Sequence, residues 1–200
     1  MRKGHRVTAK PDSASEPRSP RLAYARHTIA DYPESAAMWG DERVARFIGG
    51  RPSSLEDSWL RLLRYVGHWG VLEFGYWVVR DRHSGRFIGE VGVADFHRDI
   101  DPPFGVALEA GWALSPDGRG QGYGFEAVSA LLQWRDASLP GTRTVCMINP
   151  DNAPSIRLAA RCGFEQYAHA IYKEAPVLLF ERHGAPASPA GTDARRNPAA

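Results

Sequence analysis

Apolar residues recur along this chain at two spacings, and each spacing predicts a different kind of element. Alternation of period two, or a short unbroken apolar run, marks residues 21–26, 74–80, 86–96, 106–115, 144–148, 166–172 and 177–182 as strands. The run Thr144-Val145-Cys146-Met147-Ile148 is continuous, as expected of a central strand buried on both faces. Residues 81–85, Asp-Arg-His-Ser-Gly, supply the turn of a hairpin between the second and third strands. A period near 3.6 marks the helices. A short one is expected over residues 34–39. A longer one starts at a Ser54–Asp57 capping box and turns Trp59, Leu62, Leu63 and Val66 to the core. Another follows Gly124, with Phe125, Val128, Leu131 and Leu132 inward and Pro140-Gly141 as its stop. The last is capped by Asn152, faces Ile156, Ala159 and Ala160 inward, and ends at Gly163.

The resulting order, β, α, α, β, β, β, α, β, α, β, β, is that of an α/β (α+β) chain. Two hundred residues with 43% apolar content suit one domain with one core of ordinary size. Residues 1–20 and 184–200 are dominated by charged residues, Pro, Ser, Ala and Gly, and are expected as disordered tails around a domain at 21–183. Charge narrows the partners: 25 basic against 23 acidic residues give a formal +2, which argues against nucleic acid or a membrane surface. No apolar run reaches the length of a membrane span, and residues 1–20 lack the apolar centre of a secretory signal. Only Cys146 and Cys162 occur, which fits a reduced, cytoplasmic compartment rather than a disulfide framework.

The chemistry concentrates at residues 118–124, Gly-Arg-Gly-Gln-Gly-Tyr-Gly, between a strand and an amphipathic helix. Four glycines at alternate positions leave little bulk where the helix begins. The N–H groups of a helix start carry partial positive charge, and Arg119 adds a full one, so the loop is a seat for a pyrophosphate. It is not a nucleotide P-loop, because no lysine follows. It is not a dinucleotide fingerprint either, because the third glycine of that pattern falls on Tyr123 or Phe125. A ligand-free glycine hairpin explains the glycines but not the helix behind them.

Arg119-x-x-Gly122-x-Gly124 resembles the Arg/Gln-x-x-Gly-x-Gly/Ala signature of the GNAT N-acetyltransferase superfamily. The surroundings resemble its ribosomal-protein N-terminal acetyltransferase (RimJ/RimL-like) branch. Glu109-Ala110-Gly111-Trp112-Ala113-Leu114 precedes the loop, Phe125-Glu126-Ala127 opens the helix, and Asn149 to Ser155 with Cys162-Gly163-Phe164 follow in order. The resemblance covers about residues 21–183. It implies a single GNAT-type domain: a mixed, mostly antiparallel sheet of 6–7 strands, splayed between strands 4 and 5 and flanked by about four helices.

The resemblance further implies an N-acetyltransferase that moves the acetyl group of acetyl-CoA to a primary amine in a ternary complex, without a metal. The acceptor would be a protein N-terminus or a small amine, and the sequence leaves room for a homodimer. The loop residues Arg119, Gly120, Gln121, Gly122, Tyr123 and Gly124 would hold the pyrophosphate. The backbone at Trp112, Ala113 and Leu114 would align the pantetheine arm, with Asn152 and Ser155 touching it. Asn152 also reads as a plain helix cap.

The acid and base are less determined. Many family members carry a tyrosine four residues before the Gly-Phe pair as the acid for the departing thiolate, but here that residue is Ala159. Tyr172 and Ser155 are the alternatives. For the base, Glu109 and Glu90 are carboxylates in apolar strands, where a charge needs a reason. Glu109 is preferred because it adjoins the pantetheine strand; the competing reading, for either carboxylate, is that it faces solvent or pairs with an arginine. Asp95 and His97 could line the acceptor pocket. The aromatics Trp39, Trp59, Tyr65, Trp69, Tyr76 and Trp77 are either core or acceptor wall. The missing tyrosine at Ala159 also motivates a second reading, an acyl-CoA-binding module without turnover.

Overall fold

The computed structural model describes residues 16–184. The expected tails fall almost wholly on residues 1–15 and 185–200, outside the described residues. Seven strands form one sheet: β1 (Leu22–Arg26), β2 (Tyr76–Asp81), β3 (Phe87–Ala94), β4 (Ala107–Leu114), β5 (Arg143–Ile148), β6 (Glu165–Tyr172) and β7 (Ala175–His183). Their order is β1-β2-β3-β4-β5-β7-β6. All neighbours are antiparallel except β4 and β5. A parallel pair needs a long crossover, which α4 (Tyr123–Ser138) provides.

The other helices are α1 (Tyr32–Trp39), α2 (Glu42–Ala45), α3 (Leu55–Leu72) and α5 (Ala153–Arg161). The described residues thus hold five helices rather than about four. The extra one, α2, is a single turn capped by Asp41, whose Oδ1 accepts from the Arg43 N–H at 2.8 Å. Four residues carry no measurable periodicity, so the pattern could not announce it.

Strand alternation sorts the core onto two faces. On one, Trp77, Val79, Val91, Leu108 and Ala110 pack with Val128, Leu131 and Trp134 of α4 and Ala159 of α5. On the other, Val78, Phe87 and Ala113 pack with Met38 and Trp39 of α1. Helices on both faces of a sheet form the layered arrangement expected.

The face of α3 is a correction. Its capping box is present, with the Asp57 N–H donating to Ser54 Oγ at 3.0 Å and the Ser54 N–H to Asp57 Oδ2 at 3.1 Å. Yet the buried stripe is Ser58, Leu62, Tyr65 and Trp69, while Trp59, Leu63 and Val66 are 38%, 48% and 45% exposed. Two apolar stripes compete on this helix, and ring packing selects between them. Tyr65 stacks on Tyr76, with centroids 4.4 Å apart at an interplanar angle of 6°, and Trp69 Nε1 donates to the Tyr76 carbonyl at 2.9 Å.

Two smaller corrections have the same origin. Phe125 is only half-buried, its ring lying 4.1 Å from the Arg161 guanidinium. Ala160 is exposed, because a helix as short as α5 presents a stripe that ends with Ile156 and the fully buried Ala159.

Candidate functional site

The site begins with a gap in the sheet. β4 pairs with β5 at three positions only, Ala107 with Arg143, Leu108 with Thr144 and Glu109 with Val145. Beyond them β4 keeps its pairing to β3 through Leu114, and β5 keeps its pairing to β7 through Ile148. The two strands therefore diverge, leaving the backbone of residues 110–114 with no strand on that side. The expected splay between strands 4 and 5 is present. Its apex is Glu109.

Alternation along β4 sends successive side chains to opposite faces. Trp112 projects toward α5. Its Nε1 donates to Ser155 Oγ at 3.3 Å and its ring lies 6.3 Å from that of Phe164. Glu109, Gly111 and Ala113 face the α1–α3 side. A Cβ at Gly111 would overlap the Tyr76 hydroxyl, so only glycine lets that tyrosine reach β4.

The glycine loop leads from β4 into α4 on the Trp112 face. Gly122 is the N-cap with φ of 79°, and Gly120 has φ of 76°; both lie in the left-handed region that favours glycine. The first helical bond runs from the Glu126 N–H to the Gly122 carbonyl at 3.1 Å. The N–H groups of Tyr123, Gly124 and Phe125 precede it and have no acceptor within the helix. At Gly124 a Cβ would meet Leu114 Cδ1 at 3.2 Å and Leu158 Cδ2 at 3.4 Å, so the helix start sits close against β4 and α5.

The side chains of this loop brace it. Arg119 donates from Nη1 to the Arg43 carbonyl at 3.1 Å and from Nη2 to the Leu114 carbonyl at 3.3 Å. Burial lowers the pKa of its guanidinium, with Asp41 opposing the shift and Arg43 adding to it. Gln121 Nε2 donates to the Asp117 carbonyl at 2.9 Å, and the Tyr123 hydroxyl to Asp81 Oδ2 at 2.8 Å. The backbone at Gly120, Gly122 and Gly124 is thus the open part of the expected seat. At the start of α5, Asn152 Oδ1 accepts from the Ser155 N–H at 3.2 Å, the cap geometry.

Across the gap, Glu109 and Tyr172 come together through a residue that the pattern did not single out. Arg98, in the β3–β4 loop, donates from Nε and Nη2 to the two Glu109 oxygens, each at 2.7 Å, and from Nη1 to the Tyr172 hydroxyl at 2.9 Å. Its guanidinium lies 4.5 Å from the Phe96 ring centroid and 5.0 Å from that of Tyr172. Burial alone would lower the Arg98 pKa, but the Glu109 bonds outweigh it and the net shift is upward. Arginine–carboxylate forks of this kind are strong and directional. No local motif marks Arg98, since it lies in an irregular loop.

The remaining candidates make other contacts. Glu90 is fully buried in β3, accepting from Ser35 Oγ at 2.6 Å and Trp39 Nε1 at 2.8 Å, with His27 Nε2 at 3.2 Å. Both its oxygens are engaged, by side chains of α1 and by His27 just after β1. Asp95 and His97 form an exposed pair at 3.5 Å. Of the six aromatics, Trp39, Tyr65, Trp69, Tyr76 and Trp77 are buried and Trp59 is partly exposed. The five buried rings are core, and Trp59 is not.

Residues 21–165 match the family model described as Acetyltransferase (GNAT) domain. A solved structure assigned to the GnaT acetyltransferase family, from Bordetella pertussis, is 34% identical, with 82% of this chain and 97% of that chain covered and a TM-score of 0.72. The RimL ribosomal L7/L12 α-N-protein acetyltransferase bound to CoA shares the fold at 14% identity, over 83% of this chain and 96% of that one, with a TM-score of 0.67. Spermidine N-acetyltransferase from Vibrio cholerae, bound to CoA and spermine, does so at 17% identity, 82% and 95% coverage and a TM-score of 0.64. Among curated proteins, YkkB of Bacillus subtilis is 28% identical over 107 residues, 53% of this chain; the chain spans only 59% of that relative.

Proposed function

This chain belongs to the GNAT acetyltransferase family, and from that premise we propose that it transfers the acetyl group of acetyl-CoA directly to a primary amine. The observation that carries the reading is the gap itself. Pairing between β4 and β5 ends at Glu109, with the glycine loop and Ser155 on one face and Glu109 and Tyr172 on the other. Donor and acceptor approach from opposite faces and meet at the apex. Such an arrangement supplies proximity and orientation without a covalent enzyme intermediate.

The open N–H groups at the start of α4 seat the pyrophosphate, with Arg119 holding the loop against Leu114 and Arg43. The unpaired backbone of residues 110–114 takes the pantetheine arm as a further strand would be taken. Asn152 and Ser155 flank that arm. Glu109 accepts a proton from the incoming amine, directly or through water. The neutral nitrogen attacks the thioester carbon, the C–N bond forms and the C–S bond breaks. Tyr172 or Ser155 gives a proton to the leaving sulfur and is restored by the second proton, which the nitrogen sheds as it becomes an amide.

Two acceptor classes fit, a protein N-terminus and a small amine, and the two fold relatives named for their substrates represent one of each. Cys146 and Cys162 are both free thiols, which suits a cytoplasmic setting. No helix among the described residues is long and apolar enough to cross a membrane. One observation favours a second reading. The position that is commonly an acidic tyrosine in the family is Ala159, which is fully buried and carries no proton donor, and this suits an acyl-CoA-binding module without turnover.

Calorimetric titration with acetyl-CoA, followed by an amine screen for thiol release, tests both. Arg119→Ala is expected to weaken donor binding by roughly 1.5–3 kcal/mol, the range for hydrogen bonds to charged groups. Binding without thiol release from any amine would leave only the binding module. No binding by the folded wild type would remove the donor assignment.

A further inference from the structure

The loop that seats a pyrophosphate carries a carboxylate in its own first helical turn. Glu126 lies one turn into α4, where its negative charge sits in the same field that attracts the ligand. Taken alone it would repel an incoming dianion. Its side chain is only 14% exposed, so water screens it weakly.

The structure supplies a counter-charge from far along the chain. Arg21, just before β1, donates its backbone N–H to Glu126 Oε1 and its Nε to Oε2, each at 2.7 Å. The same guanidinium donates from Nη1 to the Gln121 carbonyl at 3.0 Å and lies 4.5 Å from the Tyr123 ring centroid. Its Nη2 would stand 3.4 Å from a Cβ at Gly122, so the group rests directly on the loop. The net pKa of Glu126 is lowered, since the Arg21 bonds outweigh the burial that would raise it; the carboxylate is an anion at neutral pH.

We infer that Arg21 is a positioning residue for donor binding: it cancels the charge of Glu126 and turns the Gln121 carbonyl aside, so that the start of α4 presents positive potential to the pyrophosphate. Arg119 faces Arg43 and Leu114, whereas Arg21 meets the loop from β1 through Glu126 and Gln121. The two arginines grip it through different partners. The inference rests on the donor reading given above.

A charge cycle tests it, with acetyl-CoA affinity measured by calorimetry on the full chain and folding checked by thermal melting. Arg21→Gln keeps much of the packing and is expected to weaken binding roughly tenfold, the effect of about one uncompensated charge at short range. Glu126→Gln alone leaves the Arg21 charge unopposed and should bind at least as tightly as wild type. The double variant, Arg21→Gln with Glu126→Gln, should recover most of the loss, because no charge is left to cancel. A double variant as weak as Arg21→Gln would overturn the inference, as would an Arg21→Gln protein that binds like wild type. Folded wild type that fails to bind acetyl-CoA would instead refute the donor assignment.

Discussion

Glu109 and Arg98 form a two-bond fork, both contacts 2.7 Å, at the point where β4 and β5 part. Their side chains are 8% and 19% exposed, so the pair is largely withdrawn from water. A carboxylate held this way is oriented, and it must work with a cation beside it. The fork also fixes Tyr172, through the third Arg98 bond.

If Glu109 takes the amine proton, Glu109→Gln should lower kcat by about 100-fold or more, the usual scale of general-base catalysis. Acetyl-CoA affinity should stay unchanged, because the glycine loop proposed as the donor seat lies on the other face. Equal kcat in the variant would show that the carboxylate serves only the ion pair. Glu109→Ala should also destabilise by about 3 kcal/mol, read from urea unfolding, since it strands the Arg98 charge in a mostly buried place.

Gly111 tests how β2 closes against β4. Any Cβ there would overlap the Tyr76 hydroxyl, so Gly111→Ala should cost roughly 1–3 kcal/mol as an overpacked core does. Adding Tyr76→Phe removes the overlapping oxygen and should restore much of that stability. If the double variant melts no higher than Gly111→Ala, the strain arises from something other than this contact.

The register of α3 has a direct assay. Leu62 is 3% exposed and its neighbour Leu63 is 48% exposed. Leu62→Ala should cost about 2–4 kcal/mol, while Leu63→Ser should change stability by about 0.5 kcal/mol or less. The reverse ranking in chemical denaturation would restore the stripe that periodicity suggested.

Glu90 governs part of the acid response. Burial would raise its pKa, but the bonds from His27, Ser35 and Trp39 outweigh that, and the net shift is below the ordinary value of 4.5. A depressed folded value means that the group's contribution is fully present above about pH 4.5 and is lost as pH falls through the folded value. Melting temperature should therefore drop on acidification below that point. Glu90→Gln should be less stable at neutral pH and show a shallower acid decline. Parallel curves for the two proteins would assign the decline to other carboxylates.

Much of this molecule was legible along the chain. The strand positions, the capping box at Ser54, the cap at Asn152, the left-handed glycines at the start of α4 and the stop at Gly163 all follow from contacts within a few residues. Such contacts depend on local spacing, and spacing is what a sequence displays. The direction of α3 was not legible, because two apolar stripes satisfy the same period and the choice between them rests on Tyr76, in another element. Nor was the fate of Glu90, whose partners come from α1 and the end of β1.

By itself, then, the sequence determined the order of the strands and longer helices, the glycine loop and the family, since each depends on neighbours in the chain. Only the tertiary structure decided which charges meet. Arg98 reaches Tyr172 across 74 positions, and Arg21 reaches Glu126 across 105. No periodicity encodes such pairs. They exist because the sheet order brings β1 beside α4 and the β3–β4 loop beside β6, and a buried charge then takes the partner that the fold has placed within reach.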